Sequence, residues 1–462
     1  MNRRYKILSA FCCASLFLWV ACNNFVEWRG GGFPKLVMGK SKPNINQLRQ
    51  QREEDLKTNP DKDAEKDTNA TVANTDLTVG FRGTNGDGVY ENESILTDWP
   101  EEGPPVLWRK LIGGGHSSFA ISDNLAFTIE QQENNEVVFA FSTQTGRAQW
   151  SFEYAAKFEE YFGGIGPRST PTWNDDRLYT LGAKGHLHCL NAKTGKRIWE
   201  KNLMTENKAE IPYWGVSSSP LVYKNTVILV PGGKNDNAII ALDKASGKKV
   251  WSTLNGVQTY STPLLLQLLG KEQLLISLKD KVVAINPNDG TLLWSHPWKI
   301  FMNNNNIAQP TRLADDIVLI SAGYGTGAEA FKIIPRENAT ETESLWKSKS
   351  LKTKFSSPIF WEGHLYGLNE NRLVCLDAKD GSLKWRGDKF GYGQIIAASG
   401  HLIILGDAGD LALVEMNPEK FALKTKFKAL KGGRTWNYPA LSRGLLFVRN
   451  SYEMACYDLR SK

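Results

Sequence analysis

Residues able to do chemistry are sparse in this chain. His186 and His188 alternate along an apolar run and so share one face of a strand, the geometry of a metal pair, but no third ligand stands near them. His364 and His401 occupy matching Gly-His-Leu stretches and read as turn residues. No Gly-x-Ser-x-Gly elbow, phosphate-binding loop, His-Glu-x-x-His or paired-cysteine zinc spacing is present. More informative are large polar and aromatic residues that precede a recurring Ser/Thr-Pro step: His116, Arg168, Tyr213, Trp214, Tyr260, Asn306, Lys354, Tyr392, Gln394, Arg434 and Trp436. If the segments bearing them converge, they form an aromatic mouth with two arginines and a lysine, suited to an anionic or sugar-like ligand. The ligand-binding candidates are Arg168, Trp214, Tyr260, Lys354, Tyr392, Gln394, Arg434 and Trp436. A mouth merely plugged or solvated by these side chains is the bland alternative. No catalytic residue and no metal ligand is assigned.

What brings them together is a repeat. A small residue, an Asx or Ser, a turn glycine and a tryptophan recur at identical offsets in Ala140/Ser142/Gly146/Trp150, Cys189/Asn191/Gly195/Trp199, Ala241/Asp243/Gly247/Trp251, Ala284/Asn286/Gly290/Trp294 and Cys375/Asp377/Gly381/Trp385. Each copy spells a hairpin: an apolar strand, a short side chain bonding the turn backbone, a left-handed glycine, and a tryptophan on the returning strand. The glycines lie 49, 52, 43 and 91 residues apart, and the last interval hides a degenerate copy at Trp346, where Pro335 to Ser344 replaces the turn. A period of about 40 to 50 residues is that of a four-stranded propeller blade. Short β-rich runs such as Leu178–Thr180, Val227–Val230, Leu274–Ile276 and Ile317–Ile320 fall between polar turns.

Ala455-Cys456-Tyr457-Asp458 begins a repeat that lacks its turn and tryptophan, while Trp108 stands upstream without a hairpin of its own. The N-terminal strand is therefore predicted to complete the C-terminal blade. Counting Trp108, Trp150, Trp199, Trp251, Trp294, Trp346, Trp385 and a degraded position near Phe427 predicts eight blades; seven is the fallback if Phe427 lies on no true outer strand.

These motifs, with the opening Phe81-Arg82-Gly83-Thr84-Asn85-Gly86-Asp87-Gly88 and then Trp99-Pro100, resemble those of the PQQ-repeat (PQQ-binding-like, BamB-like) family of eight-bladed propellers. The resemblance implies an all-β domain over residues 77–462. It implies two functions: a non-catalytic binding or scaffold propeller, or a PQQ-dependent quinoprotein oxidoreductase acting on alcohols or sugars. For the second, the family's adjacent cysteine pair is matched only by Cys12-Cys13 in the leader, and the pre-strand segments lack the Glu, Asn and Asp set that holds calcium; Asn303 to Asn306 are neutral. The expectation is therefore no cofactor, with PQQ and calcium only under the enzyme alternative.

Residues 1–22 carry Arg3, Arg4 and Lys6 and then an apolar run from Ile7 to Ala21, an export signal too short for a comfortable span. Val20-Ala21-Cys22 resembles a lipobox, so Cys22 is the candidate lipidation site and a periplasmic or cell-envelope location follows. Residues 23–76 are polar and low in complexity, expected to be a mostly disordered tether with one short helix around Ile45 to Lys57. Cys189, Cys375 and Cys456 repeat the small-residue position of three blades and read as buried packing residues, not a disulfide framework. The formal charge of +7 includes the leader and is no nucleic-acid signature. A monomeric propeller with a protein partner or an anionic or glycan ligand at its mouth, membrane-held through its N-terminus, is the resulting expectation.

Overall fold

The computed structural model describes residues 26–27, 29–31, 35–36, 44–57, 79–122, 124–300 and 306–461. The leader and the Cys22 and Asn303 positions discussed above lie outside the described residues. Eight sheets surround a common axis, each built on four antiparallel strands hydrogen-bonded in chain order, except that the last is completed by the strand Val106–Leu111 and the seventh carries an extra short strand. Blade 1 uses Ala120–Ser122, Leu125–Gln132, Asn135–Ser142 and Ala148–Ala155; blades 2 to 7 follow from Thr172 to Lys428.

Blade 8 has the order Ala440–Ser442, Leu445–Arg449, Glu453–Asp458 and then Val106–Leu111. Cys456 faces Trp108 and Ala455 faces Arg109, the register that Ala140 and Trp150 adopt within blade 1. The Asp458 amide donates to Pro105 O at 2.8 Å, which reproduces between remote segments the bond that the Asn191 amide makes to Lys196 O in a continuous hairpin. Two strands from distant parts of the chain thus form one hairpin without a connecting turn.

The tryptophan repeat joins blade to blade. In every regular copy the small residue opposes the tryptophan directly, and a bulge follows it. Trp108, Trp150, Trp199, Trp251 and Trp346 each lie over the turn glycine of the next blade. Trp150 covers Gly195, where a Cβ would sit 2.5 Å from the ring, and its Nε1 donates to Ala192 O at 2.9 Å. Trp108, Trp199, Trp346 and Trp385 make the equivalent donation. Glycine is required under the indole twice over, by that approach and by a φ of +69°.

The degraded position near Phe427 is a true outer strand, so the ring has eight blades, whereas the expectation for the fifth unit needs correction. Phe427 does lie on the outer strand of blade 7, but it faces Leu411; the tryptophan register, opposite Leu413, belongs to Thr425. Thr425 donates to Trp99 O, and Phe427 packs edge-on to Trp99 and over Gly103, so the N-terminal segment supplies the aromatic that this blade lacks. In blade 5 most of Pro335 to Ser344 is strand and not turn: Gly327–Pro335 and Thr340–Ser348 extend into a longer hairpin closed by Arg336 to Ala339.

The polar segment before the ring is also more than a spacer over part of its length. Ile45–Lys57 is a helix packed on the outer strand of blade 1. Its Leu48, Arg52 and Asp55 are buried; Arg52 donates to Leu111 O at 2.7 Å, lies 3.7 Å from Glu130, and spans the rings of Phe139 and Phe141. Val89–Tyr90 adds a short fifth, parallel strand to the inner edge of blade 7.

Candidate functional site

The Ser/Thr-Pro steps that begin the inner strands bind the blades to one another. Ser118 N–H donates to Thr170 Oγ1, Thr170 N–H to Ser219 Oγ and Ser219 N–H to Thr262 Oγ1, each at 3.0 to 3.1 Å. Gln309 N–H to Ser357 Oγ and Ser357 N–H to the Tyr438 hydroxyl carry the belt onward, and Ser118 Oγ reaches Tyr438 O. The inner edge of a blade has backbone amides with no fifth strand to pair with, so a hydroxyl from the neighbouring blade satisfies them. The motif's hydroxyls are therefore structural, and the residues preceding them are carried to one end of the axis.

There they enclose a cavity of about 150 Å³. Of the sequence candidates, Arg168, Trp214, Tyr260, Gln394 and Trp436 line it, together with His116. Phe81, Glu160, Tyr324, Phe355 and Tyr438 also line it and were not singled out. Phe81 comes from the segment ahead of the blades and meets Tyr438 edge-on. Glu160 comes from the small hairpin Glu159–Ile165. Phe355 had a sequence signal in its adjacency to Lys354, and Phe81 opens the Phe81–Gly88 motif.

The cations are engaged within the protein. Arg168 donates to Gly166 O and to Gly164 O (2.8 Å), approaches Glu160 at 3.4 Å, and stacks on Phe158, so it fastens the Glu159–Ile165 hairpin. Its burial lowers its pKa to about 10 against the opposing pull of Glu160. Lys354, 8% exposed, lies beside the cavity among aromatic rings and donates to Gly30 O. Arg434 stacks over Trp436 at 5.0 Å. Tyr392 packs against Phe355. Gln394 is 2% exposed and donates to Trp436 O, while its Oε1 has no partner. Burial pushes Tyr260 up to about 12 and His116 well below the ordinary imidazole range, so both are neutral near pH 7.

Beside this cavity runs an open groove of about 960 Å³ between blades 2 and 4, sharing Trp214 and Tyr260 with it. Ile211, Tyr213 and Val257 on its walls are 44%, 62% and 48% exposed. At its base Gln258 is 3% exposed, with Oε1 unpartnered. Tyr161 and Phe162 of the neighbouring hairpin are also exposed.

His186 and His188 do share a face, against Tyr154, with no metal-competent group of three among the described residues. His364 and His401 each bond the carbonyl two residues back, at 2.8 and 2.7 Å, as turn residues do. Cys189, Cys375 and Cys456 are buried free thiols.

A quinone held by calcium does not suit these residues. The carboxylate at the cavity, Glu160, is tied to Arg168, and no cluster of three His, Cys, Asp or Glu side chains capable of holding an ion occurs among the described residues.

A closed ring of eight such blades with an aromatic axial funnel defines the eight-bladed PQQ-repeat type of propeller. Residues 134–387 match the family model described as outer membrane protein assembly factor BamB, and the chain belongs to that family. It is 21% identical over 293 residues to the assembly factor BamB of Yersinia pestis, across 60% of this chain and 67% of that one. It is 24% identical over 265 residues to the quinoprotein alcohol dehydrogenase PedH of Pseudomonas putida, spanning only 41% of that protein's length. Among solved structures, BamB from Moraxella catarrhalis aligns with a TM-score of 0.54 at 14% identity, over 77% of this chain and 99% of that one. The quinohemoprotein alcohol dehydrogenase from Comamonas testosteroni aligns with a TM-score of 0.61 at 12% identity, over 90% and 85%. At these identities the structural likeness speaks to fold alone.

Proposed function

We propose that this chain is an exported, non-catalytic scaffold propeller, lipid-anchored through Cys22, that docks a partner protein on its funnel face. The observation that carries this reading is the distribution of side chains there: the charged candidates are spent on internal bonds, whereas Ile211, Tyr213 and Val257 stand exposed around a groove with an unpartnered Gln258 carbonyl at its base. Exposed aromatic and aliphatic side chains beside an unpaired buried acceptor suit a protein surface with a backbone or side-chain donor to offer. The naming of relatives as outer-membrane assembly factors supports a protein partner in the envelope, and the leader supports export.

Co-purification from solubilised envelopes tests it. An Ile211→Asp, Tyr213→Asp, Val257→Asp variant is expected to lose the partner recovered with the wild-type chain and to keep its unfolding midpoint. Equal recovery from the variant excludes this face. A glycan ligand is the second reading, favoured by the Gln394 carbonyl among Trp214, Tyr260 and Trp436. Monosaccharide titration followed by ligand-observed NMR checks it, with Gln394→Leu expected to abolish the signal.

A further inference from the structure

Three residues far from the blades in sequence, Arg29–Gly31, sit at the funnel mouth. Gly30 is buried there, its carbonyl accepting from Lys354 Nζ. A Cβ on Gly30 would lie 2.7 Å from Phe355 and 2.8 Å from Tyr392, and its φ is +87°. Two aromatic rings and a left-handed backbone therefore strongly disfavour a side chain at this point.

The lysine is held ready for that carbonyl. Its ammonium lies 4.2 Å from the centre of Tyr324, 4.8 Å from Tyr392 and 5.6 Å from Phe355, and its stem runs against Gly323, whose lack of a side chain gives it passage. Ring faces attract a cation but accept no conventional hydrogen bond, so a buried ammonium among three of them gains from an oxygen acceptor. Gly30 O supplies it.

We propose that the funnel mouth is a peptide-binding site specific for a glycine main chain, and that the protein's own Arg29–Gly31 segment occupies it. Lys354 reads the carbonyl, while Phe355 and Tyr392 read the absence of a side chain. Phe355 also lines the axial cavity, so the bound segment stands at that cavity's edge. The site is independent of the partner groove, which lies on blades 2 to 4, and holds whether or not a protein docks there.

Limited trypsin digestion of the full chain reads occupancy at the bond after Arg29. Release from the site raises the susceptible population, so Gly30→Val is expected to accelerate that cut about tenfold. Lys354→Met, altering the other partner, is expected to do the same, and native protection of the buried cysteines confirms that each ring is folded. A synthetic peptide Glu-Trp-Arg-Gly-Gly-Gly-Phe is then expected to bind Gly30→Val in calorimetry and not the wild type, whose site is filled. The same peptide with valine for its first glycine is expected to bind neither. Equal cleavage in wild type and both variants, equal peptide binding to wild type and Gly30→Val, no binding of the glycine peptide to Gly30→Val, or binding of the valine peptide would each overturn the assignment.

Discussion

Replacing Trp150 by alanine tests the joint that repeats around the ring. The indole is 7% exposed, lies over Gly195 and beside Phe127, and donates to Ala192 O at 2.9 Å. Emptying such a contact costs about 3 to 5 kcal/mol, most of it packing, with about 1 kcal/mol for the hydrogen bond. Against a net stability of order 5 to 15 kcal/mol that is a large loss. Trp150→Phe keeps much of the packing and loses the N–H, so about 1 to 2 kcal/mol is expected. Gly195→Ala drives a methyl to 2.5 Å from the same ring at a φ of +69° and is destabilising by itself. With the indole removed, the steric part of that penalty disappears. The double variant is therefore expected to be more stable than the sum of the singles by about 1 kcal/mol or more. Guanidinium unfolding followed by circular dichroism measures the wild type and the four variants. Additivity within about 0.5 kcal/mol, or a Trp150→Ala loss below about 1 kcal/mol, would show that indole and turn are not one contact.

Burial holds His188 down to about 3, with the charges of His186 and Arg197 adding to it. Glu200 lies 3.5 Å away but is half exposed and holds Arg197 at 2.7 Å, so desolvation prevails. The unfolded chain takes up this proton near pH 6.5 and the folded one only near 3. The contribution is thus complete above pH 6.5 and is lost as pH falls through that window, with a slope approaching about 1.4 kcal/mol per pH unit. Unfolding midpoints at pH 7, 5 and 4 are expected to fall less for His188→Gln, and identical pH slopes would count against it. Burial raises the Cys189 and Cys375 thiols to about 11 and 12, so maleimide labelling at pH 7 is expected only on unfolding, as mass spectrometry would show; rapid native labelling contradicts that. Arg52→Ala is expected to lower stability by about 1 to 3 kcal/mol, less than a buried pair inside a core, because the helix can undock and let water reach Glu130. Unchanged unfolding with the helix deleted would show that its docking contributes nothing.

The ring itself was legible because its joints use rare residue types at fixed offsets: tryptophan, Asx and glycine must coincide for an indole to cover a turn. Closure was legible for the same reason, since Trp108 lacked a hairpin and Cys456 lacked a tryptophan. Blade 7 was legible only as a degraded position near Phe427, because its aromatic comes from Trp99, outside the repeat, and a threonine at the tryptophan register leaves no signal. The docked helix fitted the short helix expected from sequence, but its buried stripe of Leu48, Arg52 and Asp55 is mostly polar, and hydrophobic periodicity discards it. At the funnel the sequence pattern placed Arg168, Trp214, Tyr260, Gln394 and Trp436 together. What it left open was which cations are free, since Arg168 and Lys354 bond backbone carbonyls that have no residue identity to read.

The partner-docking account is tested most directly by photo-crosslinking in the intact envelope. A crosslinking residue is placed singly at Tyr213 and Val257 in the groove, and at Lys193 in an Asx turn on the opposite face, which is 74% exposed. The same protein adduct from Tyr213 and Val257, absent from Lys193, is the predicted outcome; an adduct from Lys193 with none from the groove contradicts it.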